Sequence, residues 1–370
     1  MLYWIAMEIL ALNARISHVP GGHCIMRVTM DNALDFAQGG LLHSSSRILI
    51  IHQGALGDFI LTLPAITALR EALAPGFLEL MGQPWVLPLA HCPQYADRIS
   101  DINRADMAIF FKEEATLPEK LCRDLGGFDA AFVFGNSETL AHNLRRAGIK
   151  NTFVLPPFPK LRMHVTDHHQ RSLAEVGIFA TLSPPRVFLR EDEKKWAQDL
   201  VFSNGWRDKE IIAIHPGAGS RKKVWPPSRF ATLGRMLAGD SRRLLLIQGP
   251  ADYKTAPEAL TGLHGVPCEI IHGLPVTRLA AVLSLASLFV GNDSGVSHLA
   301  AALDVPTVAI FGPTDPIVWA PKGRRSSWLR ADAGCGPCDR KTQHTCQSQQ
   351  CMEKLSVEDV LAFIGAKISC

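Results

Sequence analysis

Three times in this chain a short run of branched apolar residues ends in a glycine-bearing loop, and a helix-forming stretch follows. The sharpest case is Leu288-Phe289-Val290-Gly291-Asn292-Asp293-Ser294-Gly295-Val296-Ser297-His298-Leu299. Asn, Asp, Ser and Gly supply N-cap chemistry and close backbone approach. Free N–H groups and the positive end of the helix dipole then make a place for an anion. Ser294 adds a hydroxyl and His298 an imidazole one turn on. An ordinary capped helix, with Asp293 as its cap, fits the same residues.

The second case is Ile214-His215-Pro216-Gly217-Ala218-Gly219-Ser220-Arg221-Lys222-Lys223-Val224-Trp225-Pro226. Small residues let backbone amides converge on phosphate oxygens, and a lysine adds a mobile charge. The spacing is not that of a Walker A loop. A solvated basic loop is the plainer reading. The third case is Gly54-Ala55-Leu56-Gly57-Asp58, where two glycines set Asp58 at a helix start. The dipole there favours an ionised carboxylate, and a plain helix cap is the alternative reading of Asp58.

Strand-like runs at 47–51, 77–81, 108–111, 130–134 and 152–155 alternate with helical stretches. A second series lies at 211–214, 243–248, 269–271, 288–290 and 307–311, with helices near 228–238, 254–262, 276–286 and 296–303. Pro64 should kink or restart the first helix. Alternation of this kind predicts an α/β chain with two Rossmann-like parallel-sheet lobes facing across a cleft. Ligands of such sheets bind at the carboxyl ends of strands. The Pro- and His-rich stretch after 156 marks the boundary, giving lobes over 46–185 and 186–350. Residues 1–45 show no clear period and are expected to lie outside the fold, as an over-early start codon would leave them.

The bulk numbers narrow the partners. The 370 residues carry a net charge of +3, which is too weak to argue for nucleic acid and suits an acidic small substrate. No stretch reaches the roughly 18 consecutive apolar residues of a membrane span. Nine scattered and clustered cysteines suggest a reducing cytoplasm. Four of them, Cys335, Cys338, Cys346 and Cys351, have the look of a zinc or iron–sulfur set, with disulfides or free thiols as alternatives. His164, His168 and His169 lack firm ligand spacing.

Taken together and in this order, the motifs resemble the ADP-heptose:lipopolysaccharide heptosyltransferase family, glycosyltransferase family 9. The resemblance rests on 48–63, on His215-Pro216-Gly217-Ala218 with Trp225-Pro226-Pro227-Ser228-Arg229-Phe230, and on 291–316 with Phe311-Gly312-Pro313-Thr314-Asp315-Pro316. It implies a GT-B fold, with the active site between the lobes and a last helix over 351–370 that returns to the first lobe. By motif position, Asp58 matches the general base, with Gly54 and Gly57 in the acceptor loop. Lys223 meets the donor phosphates, with Ser220 beside it and Lys222 as the substitute if the register differs by one. Asp293, Ser294, Gly295 and His298 match the pyrophosphate turn, and Asp252 falls near the donor nucleoside.

The resemblance implies inverting transfer of a heptose from an ADP-activated donor to a lipopolysaccharide inner-core acceptor, with no cofactor. The chain lacks an Asp-x-Asp pair, the usual metal-diphosphate device of the other main glycosyltransferase fold. The expected protein is a cytoplasmic monomer, peripheral at the inner membrane, with the nucleotide sugar and the lipopolysaccharide core as partners. Other readings are a family member with a different nucleotide sugar or acceptor, a sugar-nucleotide epimerase of the same fold, and a non-catalytic nucleotide-sugar binder.

Overall fold

The structure, a computed structural model, describes residues 45–249, 252 and 254–368. The expectation for 1–45 therefore falls, Ser45 apart, outside the described residues. In the first lobe β1 (Arg47–His52), β2 (Phe77–Gly82), β3 (Arg98–Asp101), β4 (Ala130–Phe134) and β5 (Asn151–Leu155) form a parallel sheet in the order 3-2-1-4-5. In the second, β6 (Glu210–His215), β7 (Arg242–Gln248), β8 (Cys268–His272), β9 (Leu288–Asn292), β10 (Thr307–Phe311) and β11 (Ser326–Arg330) run parallel in the order 11-10-9-6-7-8. The central strands β1, β4, β9 and β10 are buried almost throughout, as strands covered on both faces must be.

Chain order reverses between β1 and β4 in one sheet, and between β6 and β9 in the other. Those are the switch points where a crevice opens beyond the strand ends. All three glycine loops leave strands that flank a switch point. Helix α1 (Leu56–Leu73) follows β1. Helix α2 (Val165–Glu175) lies against it. In the second lobe, α3 (Pro227–Leu237) follows the basic loop and α4 (Gly295–Ala302) follows β9.

The lobes meet where α1 packs on α4. Leu56, Phe59 and Ile60 join Val296, Leu299 and Ala300 in one apolar cluster that runs through both lobes. The approach is close because both helix starts carry glycine. A Cβ at Gly295 would stand 2.9 Å from Leu56 Cβ and 3.1 Å from Gly57 N. Polar links reinforce the contact, with Arg162 on Asp315 and Lys322 on Asp167 each at 2.6 Å, and His164 Nε2 2.9 Å from the Ala320 carbonyl. Gly295→Ala is accordingly expected to destabilise the closed pair of lobes by about 1–3 kcal/mol, the usual range for overpacking. Thermal unfolding checks this against Gly219→Ala, whose Cβ would meet nothing within 4 Å.

Four local expectations are corrected. The run at 108–111 is no strand but part of a 3-10 turn, Ala105–Phe111, that buries Met107 and Phe110 three residues apart. Pro64 does not restart the helix, since α1 continues through it from Leu56 to Leu73. The helix after β9 is not capped by Asp293; its N-cap is Ser294, and no side chain caps it. The final helix does not return to the first lobe: α5 (Val357–Ile368) packs on α3 and β11. Its apolar face, Val357, Val360 and Ile364, is buried with Phe230, Leu233 and Leu237 of α3. Arg229 and the Trp225 indole, both donating to the Leu355 carbonyl, hold its entry there at 2.6 and 2.9 Å.

Candidate active site

The loops after β6 and β9 are tied together by Asn292. Its side-chain oxygen accepts from Trp225 N at 2.9 Å, and its amide donates to the carbonyls of Pro216 (2.9 Å) and Gly217 (3.2 Å). The brace fixes the basic loop against the start of α4. Lys223 Nζ then reaches Asp293 Oδ2 at 2.8 Å, and Thr314 Oγ1 donates to the same oxygen at 2.6 Å. Asp293 is buried and Lys223 is about a quarter exposed, so one cation faces the cleft from an anchored position. Lys222, next to it, turns the other way and donates to the Cys346 carbonyl. Ser220 is exposed, and caps the short turn Arg221–Lys223 by accepting from Lys222 N at 3.3 Å.

Ser294 opens α4 without capping it. Its hydroxyl lies 3.1 Å from His215 Nδ1, and His215 Nε2 lies 2.8 Å from Asp252 Oδ2. Burial works against the Asp252 carboxylate, but His215 beside it and the Gly249 N–H together hold its pKa below the usual value. Asp252 is buried against His215 and Gly217, where a Cβ on the glycine would collide with it. His298 is buried at the lobe contact, with its ring edge 3.0 Å from where a Gly57 Cβ would sit. Burial pushes its pKa down to about 4, so the imidazole is neutral at pH 7.

Across the contact, Asp58 occupies the third position of α1. Its Oδ2 accepts from Ala55 N at 3.2 Å, which satisfies one of the first amides of the helix. Burial raises its pKa, the Ala55 N–H and Lys223 oppose the rise, and Asp293 adds to it. Asp58 thus senses both charged groups of the opposite loop. Gly54 is required here, since a Cβ would stand 2.7 Å from Asp58 Cβ. Beneath Asp58, Thr62 Oγ1 donates to its carbonyl at 2.8 Å and lies 3.3 Å from both His52 Nε2 and His169 Nε2. Burial pushes His52 down to about 4 and His169 to about 3, so both support the loop as neutral rings. Sequence reasoning passed over His52 and Thr62, and gave Asn292 only N-cap chemistry. The position of His52 and Asn292 at strand ends beside glycine loops was their one signal.

Arg145 donates to the Thr152 carbonyl, and Arg146 to the Ala115 carbonyl. Cys335, Cys338, Cys346 and Cys351 line one small cavity with Lys222 and Pro313, behind the basic loop. The four are free thiols, and among the described residues no three His, Cys, Asp or Glu side chains are grouped to hold a metal.

The site sets an anchored lysine–aspartate pair and an uncapped helix start on one lobe against a partly buried carboxylate on the other. The family model described as glycosyltransferase family 9 (heptosyltransferase) matches residues 157–348. Lipopolysaccharide heptosyltransferase 1 of Escherichia coli K12 is 33% identical over 337 residues, covering 84% of this chain and 99% of the relative. Among solved structures, a family 9 glycosyl transferase from Veillonella parvula superposes with a TM-score of 0.73 at 19% identity, covering 87% of this chain and 97% of that one. The ADP-heptose lps heptosyltransferase II of E. coli gives 0.66 at 21% identity, over 87% and 98%. At these identities the structures speak for the fold, a GT-B pair of Rossmann-like lobes. Motifs, fold and whole-length identity converge: the chain belongs to glycosyltransferase family 9, the heptosyltransferases.

Proposed function

We propose that the chain transfers a heptose from an ADP-activated donor to an acceptor on the lipopolysaccharide inner core, with inversion and without a metal. One observation carries the reading: the uncapped start of α4 and the anchored Lys223 sit on one lobe, and the partly buried Asp58 carboxylate faces them from the other. Residues 186–350 are read as the donor lobe and 46–185 as the acceptor lobe.

In this reading Asp58 takes the proton of the acceptor hydroxyl, as a general base must. The diphosphate leaves from the opposite side, so attack and departure are in line and the sugar carbon inverts. Negative charge growing on the leaving group meets the α4 amides of Gly295 and its neighbours, and the ammonium of Lys223. Those groups supply the charge stabilisation that a metal supplies in other glycosyltransferases. Asp293 offers a phosphate no N–H; its contribution is to hold Lys223 by one donor and leave the others for oxygen atoms. Neutral His298 serves as a single N–H at the same turn, and Ser220 as a hydroxyl on the rim. Asp252 marks the nucleoside end of the pocket. Gly54 and Gly57 let the acceptor come close to the base.

Two relatives bear lipopolysaccharide or ADP-heptose in their names, and that supports the choice of sugar and acceptor. A lipid-anchored acceptor puts the reaction of a cytoplasmic monomer at the inner face of the membrane. Among the described residues no helix is long and apolar enough to cross one.

Protection against thermal unfolding tests the donor. ADP at a hundredfold excess over its Kd is expected to stabilise by about 2.7 kcal/mol, and to do so equally in EDTA. Stronger protection by UDP or GDP would overturn the ADP reading. Loss of protection in EDTA would overturn metal independence.

A further inference from the structure

His215 belongs to a motif yet has no part in the scheme above. It ends β6, is 3% exposed, and has both ring nitrogens engaged. Nε2 lies 2.8 Å from Asp252 Oδ2, which also accepts from Gly249 N at 2.7 Å. Nδ1 lies 3.1 Å from Ser294 Oγ. Ser297 Oγ, 3.4 Å beyond, gives its own proton to the Asn292 carbonyl at 2.5 Å. A buried line of polar groups therefore crosses the switch point, from the loop after β7 to Ser294, the N-cap of α4.

Counting protons along this line decides what Ser294 can offer. An ionised carboxylate only accepts, so Nε2 carries a proton. If Nδ1 is bare, the Ser294 proton must point to it or to Ser297. The serine then presents lone pairs to the mouth of α4, the wrong polarity for an anion. If Nδ1 is also protonated, it donates to Ser294 Oγ, and the serine proton turns to the ligand. Helix α4 makes no claim on that hydroxyl, since no side chain caps it. Of the charged groups around the ring, Asp252 is in contact, while Lys223 and Asp293 pair with each other at 2.8 Å. The Asn292 amide is spent on Pro216 and Gly217.

We infer that His215 is a positioning residue for the donor, taking up a proton as the diphosphate binds and so converting Ser294 from an acceptor into a donor to a phosphate oxygen. The inference rests on the α4 mouth being the diphosphate site. No covalent bond to the ligand forms or breaks. One proton from solvent arrives at Ser294 Oγ from the ligand side, and the serine passes its original proton to Nδ1. The buried ring needs no other path to water. Asp252 then balances the imidazolium, which is how a buried charge is tolerated.

Calorimetry of ADP binding to the full chain, in buffers of different ionisation enthalpy at pH 8, reads the proton directly. Uptake near one proton per ADP is expected. Where a proton is taken up with ADP, affinity should fall as pH rises, as linkage requires. His215→Asn places an amide N–H where Nδ1 stood and carries no titrating proton. It should bind ADP with no uptake and with affinity independent of pH. Binding of ADP to the wild-type chain without proton uptake sinks the relay but leaves the donor reading standing. Uptake that persists in His215→Asn also sinks it. Absence of any ADP binding sinks both. The wild-type measurement stands by itself if the variant does not fold, and Ser294→Ala, which should lose the uptake and weaken ADP, gives a second variant.

Discussion

Asp58→Asn should lower turnover by two to four orders of magnitude while ADP still binds. That is the range a general base contributes. The amide keeps an oxygen for the Ala55 N–H, 3.2 Å away in the native chain, so the start of α1 is preserved. What it loses is basicity. Product-release kinetics and ADP calorimetry on the same preparation separate the two. A variant that retains near-normal rates removes Asp58 from the chemistry.

The same substitution carries a stability signature. Burial is the largest influence on Asp58 and raises its pKa above the ordinary carboxylate value, against the Ala55 N–H and Lys223. The folded value is therefore above the unfolded one. The sign follows: stability from this group is present at low pH, where it is protonated in both states, and is lost as pH rises through the folded value. Ionised Asp58 thus destabilises the native chain at neutral pH, and the neutral amide removes that burden. Melting of Asp58→Asn should match or exceed wild type at pH 8, with the difference shrinking toward the ordinary carboxylate range. The acid limb of kcat/KM in the native enzyme should lie above that range too. A function bought at the expense of stability is what a base held in a partly buried cleft implies.

How far the sequence reveals such a site depends on which contacts are local. β4 and β10 were legible to the residue, because a parallel strand covered on both faces must be a short apolar run. β3 and β11 were not. They are edge strands, Arg-Ile-Ser-Asp and Ser-Ser-Trp-Leu-Arg, half-exposed and without such a run. The Ala-Ile-Phe-Phe stretch at 108–111 misled for the opposite reason: four apolar residues do not distinguish a strand from a tight helical turn. The last helix was assigned to the first lobe by resemblance alone and packs on the second, since its apolar face says that it packs but not on what. At the site, the glycine loops announced themselves, because switch-point loops need close backbone approach. The Lys223–Asp293 pair, 70 residues apart, and the His215–Asp252 pair, 37 apart, exist only once β6, β7 and β9 lie side by side. Residue type marks a loop as functional; strand order decides which residues of two loops meet.

Lys223 gives the second large effect, and it needs a design that separates two roles. Its ammonium is 2.8 Å from the buried Asp293 carboxylate, so removing it strips a cation from a carboxylate that keeps the Thr314 hydroxyl. Lys223→Met should therefore weaken both the fold and the donor site. The stability loss will be smaller than the roughly 3–5 kcal/mol seen for breaking fully buried pairs, because the lysine is partly exposed to water. The donor effect should be larger in proportion. Losing one preorganised donor to a developing anion costs about two to three orders of magnitude in rate. Adding Asp293→Asn to Lys223→Met tells the effects apart. The neutral asparagine can still accept from Thr314 and no longer needs a cation, so the melting temperature should return toward wild type. If Lys223 acts on the phosphates directly, ADP affinity and turnover will stay low in the double variant. If they recover with the melting temperature, the lysine is only a counter-ion for Asp293, and the charge stabilisation at the leaving group falls to the amides of α4 alone.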